Sequence, residues 1–553
     1  LGPGMAWADV DGDGDEDVFF GGASGHGSNL VVNKGDGSFA LSPQIDLSHP
    51  QMNVFEDMGA VFLDADSDGD LDLYVASGGF DPRPNPVYLR DRLYLNDGKG
   101  NFRIDLHATS DLRDSGGPVA SADFDRDGDL DLFVGGRVMK ARYPTTPNSR
   151  LLRNDGGKFT DVSDELAPGL RQTGMVTGAI WSDCNGDGWL DLMVTHEWGP
   201  VAVWKNNKGK LTNASEQAGT SDRLGWWTGI EAADVDGDGD MDYAVGNMGL
   251  NTKYHASKEK PYLLYFGDLD GSGTPRIVEA CHEGGVLFPV RGKSCSTRAM
   301  PSLGKKFTSF HAFASATLPQ IYAPQNLQAA QRLVINELSS GILLNDGKGR
   351  LTFRPLPRLA QVSAVFGLAF HDWDADGHTD LAVAHNFYSP QPETGNFDGG
   401  LGMMLKGLGN GNFKPMSADQ SGFLLPGDAK ALALTDLDGD ARPDLVATVN
   451  SDSPRTFLNQ TSKAKGLAIR LQGSPGNMRG IGSRVTLHLK SGRTLVGEVH
   501  SGSSYLTGSS TAVFFSIPEE DEAGSLTIRS PIGQTTRHPL KKLTGTITVK
   551  LAN

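Results

Sequence analysis

One nine-residue pattern, D-x-[DN]-x-D-[GA]-x-x-D, occurs seven times in this chain. Its oxygen-bearing positions 1, 3, 5 and 9 are Asp9, Asp11, Asp13 and Asp17 in the first copy and Asp64, Asp66, Asp68 and Asp72 in the second. Asp123, Asp125, Asp127 and Asp131 make the third, Asp183, Asn185, Asp187 and Asp191 the fourth, and Asp234, Asp236, Asp238 and Asp242 the fifth. The sixth is Asp372, Asp374, Asp376 and Asp380, and the seventh Asp436, Asp438, Asp440 and Asp444. Like charges this close repel unless a cation lies among them. Hard oxygen ligands on a flexible loop suit Ca²⁺, which takes roughly 6–8 oxygens. The glycine at position 6 permits the sharp turn such a loop needs. About seven Ca²⁺ sites are therefore expected.

By analogy with the EF-hand loop, position 7 supplies a backbone carbonyl, leaving its side chain free to vary: Asp15, Asp70, Asp129, Trp189, Asp240, His378 and Arg442. Position 9 closes the cage. Asn185 replaces one carboxylate by an amide, and Ala441 stands where glycine is usual. A further turn, Asp268-Leu-Asp270-Gly-Ser272-Gly273, has Arg276 at position 9 and reads as a weak site or a plain turn.

Short apolar runs flank the loops, Met5-Ala-Trp7-Ala before Asp9 and Val18-Phe-Phe20 after Asp17. Such runs predict strands, so each loop joins an antiparallel pair. A Gly-rich hairpin follows each early loop at Asn33, Asn96, Asn154 and Asn206. Four strands per repeat are the blade of a β-propeller. The spacing breaks after Asp242, and the hairpin Asn345-Asp-Gly-Lys-Gly-Arg-Leu-Thr-Phe353 marks a blade without a metal loop. Counting then gives eight blades, or seven if the partly helical text at about 285–335 is an insertion. After residue 461 the text turns to metal-free alternating runs such as Arg484-Val-Thr-Leu-His-Leu489. The expected fold is all-β: a calcium-binding β-propeller over 1–461, then a small β-sandwich over 462–553.

The formal charge of -17 would fall to about -3 with seven Ca²⁺ bound, so the acidity is mainly ligand charge. No basic run suits nucleic acid, and no apolar stretch approaches the ~18 residues of a membrane helix. Loops of this kind rely on millimolar Ca²⁺, which points to a secreted, periplasmic or cell-surface protein. The opening Leu1-Gly-Pro-Gly reads as a processed or truncated start. Cys281 and Cys295 either pair or stay as thiols, and Cys184 sits inside a metal loop.

The Asp loops resemble the FG-GAP/VCBS repeats of integrin α-chain propellers and of many secreted bacterial proteins. The tail text, Gly473-Ser-Pro-Gly-Asn477-Met-Arg479-Gly-Ile-Gly482 with Gly502-Ser-Ser-Tyr505, resembles the ASPIC/UnbV domain. The pairing of the two is similar to the family of cartilage acidic protein and its bacterial relatives, as is Gly225-Trp-Trp-Thr-Gly229. The chain departs from the tail pattern at Phe514-Phe-Ser-Ile-Pro518 and Ser530-Pro-Ile-Gly533. The resemblance implies roles from adhesion to biosynthesis.

No G-x-S-x-G, H-E-x-x-H or P-loop is present. One aromatic and amide group, Trp198, Trp226, Trp227, Asn251 and Tyr254, would suit a sugar or another planar ligand, or else packs between blades. Two functions follow. One is a non-enzymatic binding, adhesion or assembly module meeting a protein or glycan at a propeller face, as a subunit of a larger surface assembly. The other is a polysaccharide-active or biosynthetic enzyme with its site on such a face.

Overall fold

The computed structural model describes residues 4–43, 52–79, 86–105, 107–109, 113–139, 142–391, 394–461, 464–540 and 544–552. The residues Leu1-Gly-Pro and the boundary at 462 lie outside them. The chain is all-β apart from short helices. Every Asp loop joins two antiparallel strands in one register: the residue before position 1 pairs with position 9, as in Ala8 with Asp17 and His371 with Asp380. Strand formation follows from the apolar flanks, which are buried along their whole length in strands such as Asp57–Leu63 and Val365–His371.

Seven antiparallel sheets carry the seven loops. Their first strands are Met5–Ala8, Asp57–Leu63, Gly116–Ala122, Met175–Ser182, Ile230–Ala233, Val365–His371 and Ala429–Thr435. Each contacts the next, and the last returns to the first, so the seven close a ring with the first strands innermost. The sheets run outward in chain order.

The fifth sheet explains the broken spacing. Its second strand, Asp242–Val245, pairs with Gly341–Asn345, and the intervening chain forms an inserted unit. The hairpin at 345–353 therefore completes the fifth sheet, and no eighth sheet of the ring is present among the described residues. The Asp268 turn lies in the insertion, between Tyr262–Gly267 and Arg276–Glu283, rather than in the ring. The insertion holds the helices Lys293–Ala299, Ser302–Lys306, Phe310–Ala314, Leu318–Tyr322 and Pro324–Ala329, and because it already includes the strands Tyr262–Gly267 and Arg276–Glu283 it is longer than the 285–335 read from sequence.

The tail is a sandwich of two sheets. One orders Val513–Pro518, Ala464–Gln472 and Gly545–Lys550; the other orders Thr494–Glu498, Arg484–Leu489, Ala523–Arg529 and Thr535–Pro539. Alternate residues of Arg484–Leu489 are buried, the period-two signature of a strand with one face on a core. Leu467, Ile469, Leu487, Ile517 and Leu526 fill that core.

The sandwich sits on the Asp-loop face. The Gly476 amide donates to Asp64 Oδ2 at 3.0 Å, and Arg470 donates to the Gly14 carbonyl at 2.6 Å. Between two sandwich strands the chain dips into the ring. Ser501 accepts from the Ser121 amide, Ser504 donates to the Ile230 carbonyl, and Ser504 Oγ accepts from Leu368. Leu506 accepts from Met5, Thr507–Gly508 pairs parallel with the first strand, and Ser510 donates to Leu434. A Cβ on Gly502, whose φ is +81°, would lie 2.0 Å from the Val119 carbonyl oxygen, so only glycine passes there. The tip residues Tyr505 and Leu506 are buried beyond the ring, where Tyr505 meets Phe366 edge-on at 4.9 Å. Tyr505→Ala should cost roughly 3 kcal/mol, as for other large buried aromatics. A denaturation midpoint equal to that of the unaltered chain would show that the plug does not hold the ring.

Candidate metal centres and the ring–tail cavity

The loops share one internal wiring. At position 9, Oδ1 accepts from a backbone amide at or just past the end of the third strand in every repeat: from Asn33, Asn96, Asn154, Asn206, Asn345, Gly407 and Asn459, at 2.7–2.9 Å. The other oxygen accepts from the position-2 amide, as in Val10 to Asp17 at 3.1 Å. In the fourth loop Cys184 Sγ and Asn185 Nδ2 reach Asp191 instead. At position 5, Oδ1 accepts from the position-7 amide, as in Asp15 to Asp13 at 3.0 Å and Arg442 to Asp440 at 2.8 Å. These bonds fold nine residues back on themselves and crowd the carboxylates.

The asparagines that open the hairpins do a second job. Asn96 Nδ2 donates to the Val10 carbonyl of the preceding sheet at 2.8 Å and to Leu71 of its own at 3.1 Å. Asn206 and Asn345 repeat the pair, to Phe124 with Leu190 and to Cys184 with Met241, and Asn154 reaches Ala65. In the sixth sheet, where Gly407 replaces the asparagine, Thr379 Oγ1 reaches the Asp234 carbonyl at 2.8 Å. Loop and hairpin, separate motifs in the sequence, are thus one joint.

The loops have the chemistry of a hard-cation site. Asp64, Asp66 and Asp72 bring one oxygen each within 4.8 Å of one another, as do Asp9, Asp11 and Asp13; Asp123, Asp125 and Asp127; Asp234, Asp236 and Asp242; and Asp372, Asp374 and Asp380. The Oδ1 atoms of Asp64, Asp70, Asp123, Asp183, Asp236 and Asp372 are buried without a hydrogen-bond partner. A buried anionic oxygen with no donor is costly unless a cation or a proton neutralises it. Ca²⁺ therefore fits this donor set. Position-7 side chains are less free than the sequence suggested: Gly156 donates to Asp129, and Arg126 stacks 3.9 Å from the Trp189 ring.

Burial, aided by neighbouring loop aspartates, lifts Asp17, Asp72, Asp123, Asp242 and Asp380 to about 7 and Asp372 to about 8 from an ordinary 3.8. A carboxyl whose pKa rises on folding keeps its proton in the native chain after the unfolded chain has lost it. Its contribution to stability is present at low pH and fades as pH rises from about 4 to about 7.

The aromatic group is a core rather than a ligand platform. Trp227 is fully buried between the fourth and fifth sheets, beside Ile180 and Tyr243, with Nε1 on the Gly199 carbonyl at 3.0 Å. Trp198 and Tyr254 are buried too; Trp198 Nε1 donates to Tyr143 at 2.7 Å, and Tyr254 packs on Trp226, Tyr262 and Phe397. Trp226 is half-buried, and the exposed Asn251 donates to the Val362 carbonyl at 3.1 Å. The inserted unit and the plug tip cover rings that sequence alone leaves open. Cys281 and Cys295 form no disulfide.

A cavity of about 520 Å³ lies between the ring and the sandwich. Its wall holds Glu231, which accepts from Ser503 at 2.8 Å, and His371, whose Nε2 lies 2.7 Å from Ser516 Oγ. Glu498, His500 and Arg493 also line it, as do Asp234, Asp236 and Asp372 of two Asp loops. Motif reading missed this space because its two walls lie far apart in sequence.

FG-GAP-like repeats match residues 9–75, 83–134 and 183–245, and the ASPIC and UnbV family matches 473–553. Cartilage acidic protein 1 of Homo sapiens is 29% identical over 193 residues, 33% of this chain and 27% of that protein. Its Mus musculus counterpart is 28% identical over 193 residues, 33% of this chain and 28% of that protein. The chain thus spans little more than a quarter of the length of these relatives. Among solved structures, the V. cholerae biofilm matrix protein Bap1 aligns with a TM-score of 0.32 at 12% identity, over 83% of this chain and 86% of that one. Rhamnogalacturonan lyase PL11 of Bacillus licheniformis aligns at 0.34 and 12%, over 83% and 71%.

Two outcomes follow from the loop joint. Asn96→Ala strands two buried carbonyls and should cost about 2 kcal/mol, read from urea denaturation; a cost near zero would show that water replaces the amide. Chelated protein should melt higher at pH 5.5 than at pH 8, because the native carboxyls take up protons between. A melting temperature that rises with pH in chelator would overturn this account of the loops.

Proposed function

We propose that this chain, which carries FG-GAP-like repeats and an ASPIC and UnbV domain, is a binding module stiffened by Ca²⁺ in its Asp loops. Positions 1, 3 and 5 of each loop, with the free side of position 9, would hold the ion. The orphaned, buried Oδ1 atoms of Asp64, Asp123 and Asp236 carry this reading. When bound, Ca²⁺ supplies counter-charge and coordination rather than reactivity. A ligand of the folded state alone stabilises it by mass action.

The setting that suits such a module is outside the cytoplasm, where millimolar Ca²⁺ fills low-affinity loops. The name of the relatives, cartilage acidic protein, agrees with that setting. No described helix is long and apolar enough to cross a membrane. With the aromatic group buried, the place for a ligand or partner is the Asp-loop face, where the cavity opens between ring and sandwich. Its volume is within the roughly 300–1,000 Å³ of small-ligand sites. The enzyme reading rests on the same cavity, since the half-buried Glu231 and the buried His371 are an acid and a base that face it.

Excess chelator should lower the melting temperature, and added Ca²⁺ should restore it. A melt indifferent to chelator would reduce the loops to plain turns. On a glycan array, Val496→Trp, which fills the cavity, should abolish capture seen with the unaltered chain while leaving bound calcium unchanged. Turnover of a captured glycan, lost in Glu231→Gln, would make the protein an enzyme instead.

A further inference from the structure

We infer that the seven loops are of two kinds: those opened by Asp9, Asp64, Asp123 and Asp234 bind Ca²⁺ tightly, while those opened by Asp183, Asp372 and Asp436 carry a cation of the chain's own and bind it weakly. This rests on the calcium reading above and refines it.

Position 7 divides the loops first. It is Asp15, Asp70, Asp129 and Asp240 in the tight kind, giving each five carboxylates. It is Trp189, His378 and Arg442 in the other, leaving three, four and four carboxylates. The ion pairs divide them the same way. In the sixth loop Lys406 Nζ contacts Asp374 and lies 2.8 Å from Asp376 Oδ2. In the fourth, Lys205 Nζ lies 3.2 Å from Asp187 Oδ2, and Arg529 reaches down from the sandwich to Asp183. In the seventh, Arg442 pairs with Asp440. Among the described residues, no Lys or Arg ion pair reaches the second, third or fifth loop, and the first has only Arg479, 3.8 Å from Asp9.

Strand register shows these cations to be placed by the fold. Lys205 and Lys406 each precede the residue whose amide holds position 9. The equivalent residues in the first, second and fifth sheets are Val32, Leu95 and Leu344, which have no charge to offer. Arg153 holds that register in the third sheet but turns to Asp155 of the hairpin, at 3.1 Å.

Counting carboxylates against paired cations, the second, third and fifth loops stand at -5, the sixth and seventh at -3 and the fourth at -1. Ligand charge count is a main control of Ca²⁺ affinity. Calcium entering the sixth loop must also compete with Lys406 for Asp374. Asp183 and Asp372 each keep one orphaned oxygen, which leaves these loops a residual, weak site.

The test uses the full chain, freed of metal and titrated with Ca²⁺ alone at buffered concentrations, with bound ions counted per chain. About four ions should bind before the rest begin. Lys406→Met should add one ion at the same free Ca²⁺. The near-isosteric Asp125→Asn should remove one tight ion, and Asp374→Asn should remove none. Seven equivalent ions, or loss of a tight ion in Asp374→Asn, would overturn the division while leaving the calcium reading intact. No bound calcium at any loop would overturn both.

Discussion

The carboxylate at position 9 is the joint on which the structure turns. One oxygen holds its own loop closed and the other grips the third strand through a backbone amide, in every sheet. That grip sets the height of the hairpin, and the hairpin's asparagine reaches across to the neighbouring sheet. A loop that gathers charge is therefore also the hinge pin between sheets. Loss of counter-charge in one loop is transmitted as strain to the contact with the next, because packed interiors yield little. This is why metal, if held there, bears on the whole ring rather than on single turns.

The sandwich belongs to the same system. It rests on the Asp loops through Gly476, Arg470 and Arg529, and its dipping segment bonds to the inner strands from the first sheet to the seventh. Among the described residues no strand of the first sheet pairs with the last; the loop through the centre bonds to both.

Much of this was legible in the text, and the legible parts are local. The loop pattern, its flanking strands and the hairpins arise from bonds within about ten residues, so spacing reveals them. The split fifth sheet was not legible: Tyr243 pairs with Leu343, and a hairpin cannot announce a partner a hundred residues away. The aromatic group failed for a related reason. Trp198 and Tyr254 read as platform residues until the insertion and Tyr505 cover them. The cation at Lys205 could have been found by aligning third strands on the hairpin asparagine, whereas Lys406 precedes a glycine in that place and Arg529 comes from another domain.

The central segment also constrains how such a chain is made. Its bond between Leu506 and Met5 joins residues about five hundred positions apart. During synthesis the first strands emerge about five hundred residues before their innermost hydrogen-bonding partners. Such distant pairings slow folding, and unpaired edges invite wrong partners while they wait. Because both ends of the segment leave by the same face, it enters as a hairpin and the ring need not be threaded. Circular permutants that open the chain between sheets should keep this geometry, whereas a chain stopped before the sandwich leaves the ring with an unfilled axis throughout its life.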